Sequence, residues 1–279
     1  MKTRKNYLLR IIFALAFFSI VSFLSGCQQV VSIDLNTSNP RVVIEGNIKD
    51  QPGPYSVLLS MTGSYFDTTL ATPPISHAQV VITDDHGNRD TLKEVISGTY
   101  QSSTLIGISG RTYTLSVKAD GKEYMAISSM PTKVFIDSLY ALPRHGLNGE
   151  SGYDIYVTFK DPPELGNYYR INARSSAVIP ADSIDGRRYR LFTDKLTNGN
   201  EMTERIRAGR NVSVGDTIII ELCSIDKASY DYFHTLSDIL SSDRSPTSLS
   251  PANPNTNISD DALGYFAAYT IDSKQIVLR

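Results

Sequence analysis

Apolar and polar residues alternate with a period of two along much of the chain after residue 41. Val42, Ile44 and Ile48 alternate with polar side chains, and the pattern recurs in residues 55–61, 78–82, 112–117 and 125–127. Such alternation is typical of half-buried β-strands. Segments rich in Pro, Gly, Asp and Asn separate the runs and are typical of turns. The pattern predicts about seven short strands in an antiparallel β-sandwich over residues 41–131.

A second β-rich block is predicted over residues 132–279. Its alternating runs are residues 153–160, 169–174, 188–192, 217–225 and 263–271. Together the two blocks predict a mainly β fold of two antiparallel β-sandwich-like domains, with a boundary near residue 131.

The second block also contains one amphipathic helix, predicted over residues 226–241. Asp226 can cap its start, and one face carries Tyr230, Phe233, Leu236, Ile239 and Leu240. Residues 242–259, which follow the helix, are rich in Ser, Pro and Asn and predict a long loop.

The first 26 residues have a different pattern, in which four basic residues and no acidic residue accompany the apolar stretch 11–24. Crossing a membrane takes about 20 apolar residues, so this 14-residue stretch has the length of the apolar part of a signal peptide. Removal of residues 1–26 leaves 27 − 4 = 23 basic and 29 acidic residues, a net charge of −6. We therefore predict a mildly acidic, exported protein.

Residues 24–27, Leu-Ser-Gly-Cys, resemble the lipobox of bacterial lipoproteins. By that resemblance, the signal is cleaved between Gly26 and Cys27, the Cys27 thiol carries a diacylglycerol, and the new amino group is acylated. Two or more acyl chains, at about 0.8 kcal/mol per buried CH₂, hold a protein stably in a bilayer. Residues 27–40 then form a lipidated tether. The alternative is an ordinary secretory signal in which a Cys happens to stand at position 27.

The residue after Cys27 is Gln28 and not Asp. In sorted lipoproteins this favours the outer membrane over the inner membrane. The expected location is therefore the outer-membrane lipid bilayer, with diacylglyceryl Cys27 as the anchor. The side of that membrane stays open between periplasm and cell surface, since only Asp34 follows as a nearby acid.

The chain offers little catalytic or metal-binding chemistry. Its four histidines, His77, His86, His145 and His234, lack the spacing of a zinc site, and no nucleophile elbow, P-loop or dinucleotide motif is present. The sequence therefore predicts no enzyme, no metal and no cofactor. Because the exported chain is acidic, we also expect no nucleic-acid partner.

Three local features allow a functional and a structural interpretation. The alternation from Asp84 to Asp90 is similar to a calcium loop, but Gly87 is out of place and Val95 stands where an acid is needed, which favours a hairpin turn. Cys223 is interpreted as a small buried side chain in a strand. The basic cluster Arg187, Arg188 and Arg190 fits a solvated strand face or a contact to an acidic partner loop.

Tyrosines concentrate in the second block: Tyr153, Tyr156, Tyr168, Tyr169, Tyr230, Tyr232, Tyr265 and Tyr269. Tyrosine is favoured at protein interfaces because it combines apolar area with a hydrogen-bonding tip. These side chains are interpreted mainly as core, with a partner surface near residues 242–259 as the alternative.

Several short segments carry a resemblance to a known family. They are residues 42–48, 51–55, 78–87, 98–100, 110–117, 257–258 and 262–266. In this order they resemble the Bacteroidota lipoprotein family labelled domain of unknown function 4249, over essentially the whole exported chain. The first half is also similar to the transthyretin-like regulatory sandwich of carboxypeptidases, which belongs with immunoglobulin-like sandwiches in general shape.

The family supplies no catalytic residues to carry over. Its relatives are often encoded beside TonB-dependent receptors, so the resemblance implies an accessory or ligand-capturing partner of a TonB-dependent nutrient transporter. A structural or adhesive cell-surface protein is the alternative, since β-sandwiches in series are common in such proteins.

Overall fold

The computed structural model describes residues 40–63, 72–145, 151–176, 189–208, 212–242 and 253–279. Within these ranges the protein is mainly β, with fourteen strands and one helix. The predicted mainly β fold with one amphipathic helix is confirmed. The predicted signal peptide, the lipidation position and nearly all of the predicted tether lie outside the described residues.

Seven strands precede residue 130. They are β1 (Val42–Lys49), β2 (Ser56–Met61), β3 (Gln79–Asp84), β4 (Arg89–Ile96), β5 (Thr99–Gln101), β6 (Thr112–Ala119) and β7 (Lys122–Ser129). Buried residues alternate with more exposed ones along β1 and β6, as the sequence pattern predicts.

The remaining elements follow residue 135. They are β8 (Ile136–His145), β9 (Ser151–Lys160), β10 (Tyr168–Ser175), β11 (Arg190–Thr193), β12 (Glu201–Ala208), β13 (Thr217–Ile225), α1 (Lys227–Ser242) and β14 (Leu263–Val277).

These strands form two sheets. The larger has eleven strands in the order β11-β10-β13-β14-β1-β2-β5-β4-β3-β6-β7, and the smaller has the order β12-β9-β8. Paired strands run antiparallel except β1 and β14, which pair in parallel from Val43 opposite Leu263 to Lys49 opposite Tyr269. The prediction of purely antiparallel sheets is therefore wrong at this pair. β14 comes from the far end of the chain, and such a pairing leaves no trace in a local pattern.

The described residues contain two large hydrophobic cores and a smaller cluster of Cys223, Ile225, Ala267, Tyr269 and Ile271. The first contains the inward side chains of β1–β7 and also Ile258, Ala262, Phe266 and Ala268. The second begins at Val134 and includes Leu278. Residues 39–279 form one compact unit, and β14 contributes Phe266 and Ala268 to the first core while its Ile276 packs against the second. Whether the two halves are separate domains stays a prediction.

Helix α1 begins at Lys227, one residue after the predicted start, because Asp226 caps it. Asp226 Oδ1 accepts a hydrogen bond from the Ser229 backbone N–H at 2.8 Å. Its Oδ2 accepts from the Ser128 hydroxyl at 2.7 Å, which ties the start of the helix to β7. Leu240, predicted on the apolar face, is exposed. No helix among the described residues has the length and apolar composition needed to cross a membrane.

Candidate functional site

Several residues singled out from the sequence lie outside the described ranges. They are Gly26, Cys27, Arg187 and Arg188. The remaining member of the basic cluster, Arg190, lies 3.6 Å from the Glu204 carboxylate, so it joins β11 to β12.

The calcium-like segment is a hairpin turn between β3 and β4, as predicted. Asp84 Oδ1 accepts hydrogen bonds from the backbone N–H groups of His86 at 3.0 Å and Asn88 at 2.8 Å, and Gly87 adopts a φ of 85°. Asp84 Oδ2 accepts from Arg111 Nη1 at 2.5 Å. These donors already occupy the carboxylate. Across the described residues, no group of three His, Cys, Asp or Glu side chains could hold a metal ion.

Cys223 is fully buried in β13, which confirms its interpretation as a packing residue. Burial raises the pKa of the Cys223 thiol, so the sulfur stays protonated and is a poor nucleophile.

Four of the eight concentrated tyrosines are buried core residues, and three more are partly buried and pack against a core cluster. Each of the eight is buried or half-buried. Several of them pack helix α1 onto the sheet together with Phe233. The ring centroid of Tyr265 on β14 lies 4.6 Å from that of Tyr232 and 4.9 Å from that of Phe233. Tyr168 on β10 lies 5.0 Å from Tyr230. The rings hold α1 in place through contact area and tilted ring geometry.

An arginine is buried inside this aromatic cluster. Arg170 is only 8% exposed, and its guanidinium lies 4.5 Å from the Phe233 ring centroid and 5.0 Å from that of Tyr269. No described carboxylate lies within ion-pair distance, and Arg170 Nε has no hydrogen-bond partner in the described structure. Burial raises the pKa of Tyr269 to about 12, so this neighbour stays neutral. The Phe233 and Tyr269 rings, together with polar contacts to the Cys223 and Tyr269 side chains, therefore stabilise this buried cation.

The structure also reveals a cleft of about 280 Å³ between the connection from β7 to β8, the start of β10 and the start of α1. The carboxylate in this cleft, Asp226, accepts hydrogen bonds from the Ser128 hydroxyl and from the backbone N–H groups of Ser129 and Ser229. No histidine lies among the residues that line this cleft, so the serines there lack the usual base for nucleophilic catalysis.

A further candidate site lies on the smaller sheet. It could not be found from the sequence, because β8 and β12 were not predicted. These strands flank β9, and the register places Tyr140, Tyr156 and Arg205 in one cross-strand row. The next row contains Leu142, Asp154 and Arg207. We call the solvent-facing side of this three-stranded sheet, with these six residues and Arg144, the outer face.

The outer face combines aromatic, aliphatic and basic side chains. The Tyr140 and Tyr156 rings stack at 4.9 Å with an interplanar angle of 9°. Asp154, which is 9% exposed, lies 3.5 Å from Arg144 Nε and 3.7 Å from Arg205 Nη1. The arginines on this face therefore outnumber its one carboxylate, Asp154.

These features define a mainly β protein with a tyrosine-packed helix and a basic, aromatic sheet face. The chain matches the model of the family described as Domain of unknown function (DUF4249) over residues 28–275. Because the match spans most of the chain, the protein belongs to this family. A search of the curated proteins finds no match for this chain.

Proposed function

We propose that this protein is an outer-membrane lipoprotein, anchored through diacylglyceryl Cys27, that acts as an accessory or ligand-capturing partner of a TonB-dependent nutrient transporter. The observation that carries the proposal is the order of basic residues, a 14-residue apolar stretch and Leu-Ser-Gly-Cys at residues 24–27. The family resemblance is the reason for proposing a TonB-dependent transporter as the partner. A non-enzymatic role follows from the lack of catalytic motifs in the sequence and stays a prediction.

Co-purification from native membranes tests the proposal. The tagged full chain, extracted in a mild detergent, is expected to bring a TonB-dependent receptor with it in a stoichiometric amount. Recovery of the protein alone under the same conditions would argue against a receptor-associated role. The variant Cys27→Ser tests the anchor separately, because its precursor should stay unprocessed, take up no palmitate and be missing from the outer-membrane fraction.

A further inference from the structure

The outer face is accessible on both of its edge strands. Tyr140 is 42% exposed and Leu142 is 50% exposed on β8, while Arg205 and Arg207 are exposed on β12. β-Sheet faces that serve only the fold usually present polar residues to water, whereas this face presents an aromatic pair and a leucine between arginines.

The charge of the outer face is opposite to that of the chain as a whole. Arg144, Arg205 and Arg207 contribute +3 and Asp154 contributes −1, a local charge of +2. The chain without residues 1–26 carries −6. Asp154 neutralises part of Arg144 and Arg205, but Arg207 stands opposite it in the register without an ion pair among the described residues. An acidic group that binds here gains attraction from Arg207 and from the exposed part of Arg205.

We infer that the outer face is the docking surface for an acidic segment of a protein partner. Tyr and Arg are the side chains that most often dominate protein interfaces, and a central apolar contact surrounded by charges is the usual arrangement. Leu142 and the Tyr140–Tyr156 pair supply the apolar contact. This composition favours a protein over an anionic polymer, which needs the arginines but not the leucine. The inference rests on the proposed function for the identity of the partner, a TonB-dependent receptor.

Charge reversal on β12 tests the inference in the full-length, membrane-anchored protein. The double variant Arg205→Glu/Arg207→Glu is expected to lower the recovery of the receptor at least about tenfold. The matched control is Lys93→Glu/Lys122→Glu, which changes the net charge equally at two exposed positions of β4 and β7. The control should recover the receptor within about twofold of the parent chain.

A third variant distinguishes loss of docking from misfolding. The double variant alone does not make this distinction, because Arg205 also contacts Asp154. Leu142→Glu leaves every arginine in place and substitutes an exposed side chain. It is expected to lower receptor recovery at least about fivefold while the thermal unfolding midpoint stays close to that of the parent chain.

The outcomes separate this inference from the proposed function. If the parent chain recovers the receptor and the double variant does so equally well, the docking surface is wrong and the proposed function stands. If the parent chain recovers no receptor, the proposed function fails and the inference fails with it. Loss of the receptor in the double variant but not in Leu142→Glu overturns the inference as stated, because the apolar centre of the outer face would then contribute nothing to docking. Loss of a dimer on size exclusion, with receptor recovery unchanged, indicates a second copy of the chain and also overturns it.

Discussion

Gly264 lies directly opposite Ile44 in the parallel pairing of β14 with β1, so close that a Cβ atom on Gly264 would stand 2.0 Å from the Ile44 carbonyl oxygen. Gly264 also has a φ of +97°, a conformation that residues with side chains rarely adopt. This is the pairing that brings the end of the chain into the first core. Glycine at position 264 is therefore a condition for the close approach of the two strands.

Gly264→Ala is expected to lower the free energy of unfolding by more than about 3 kcal/mol, because both the backbone conformation and the strand spacing must change. Urea unfolding of the parent and variant measures the difference. Gly121→Ala is the matched control: Gly121 has a φ of +74°, but nothing lies within 4 Å of an added Cβ. The control should cost about 1 kcal/mol. Equal losses in the two variants would contradict the steric argument.

The buried guanidinium of Arg170 leads to a second prediction. It has no described carboxylate partner, so its desolvation is offset by two aromatic faces and by the neutral side chains of Cys223 and Tyr269. Arg170→Met keeps much of the side-chain volume and should change the free energy of unfolding by less than about 1 kcal/mol, or raise it. Arg170→Ala should lower it by about 2–4 kcal/mol because a cavity forms.

Urea unfolding again provides the measurement for Arg170. Arg174→Met is the control, since Arg174 lies on the same strand but is exposed and paired with Glu221. A loss of more than about 3 kcal/mol for Arg170→Met would show that the guanidinium has a strong polar partner and does not depend mainly on the aromatic faces.

The Asp84 turn predicts a specific dependence on pH. Burial opposes the charged form, but hydrogen bonds from Asn88 and Arg111 outweigh it and lower the pKa of Asp84 to about 2. Because the pKa is lower in the folded than in the unfolded state, charged Asp84 stabilises the fold above pH of about 4. This contribution, about 1–2 kcal/mol, is lost as the pH falls from about 4 towards 2.

Asp84→Asn should therefore be less stable than the parent chain at neutral pH, and the difference should shrink on acidification. Urea unfolding at pH 7 and pH 3 tests this, with Asp137→Asn as a control at an exposed carboxylate. A difference between parent and Asp84→Asn that is the same at both pH values would show that the turn does not depend on the charge of Asp84.

The sequence predicted those elements whose pattern is local. The alternation in β1 and β6 and the Asp226 cap of α1 depend on residues that are near each other along the chain, and the structure confirms them. β8 was missed because Pro143 interrupts an apparent strand. In β12, the acidic residue Glu204 lies between buried Met202 and Ile206, so the alternation of apolar and polar residues is interrupted.

The remaining features depend on pairings between distant segments. Alternation along β10 predicts Arg170 on a solvated face together with Arg174, but α1 covers Arg170 and leaves Arg174 exposed. The tyrosines were correctly interpreted as mainly core, although nothing local indicated that they enclose an arginine. The outer face requires the registers of β8, β9 and β12, which link residues far apart in sequence.

The central claim is that the protein is anchored by lipid at Cys27, and the intact mass of the protein purified from its native membrane tests it most directly. We predict that the mature chain begins at Cys27, that it carries the added mass of a diacylglycerol with a further acyl group, and that Cys27→Ser takes up no radioactive palmitate. A chain that begins elsewhere, or one that begins at Cys27 without added lipid mass, would contradict lipid anchoring.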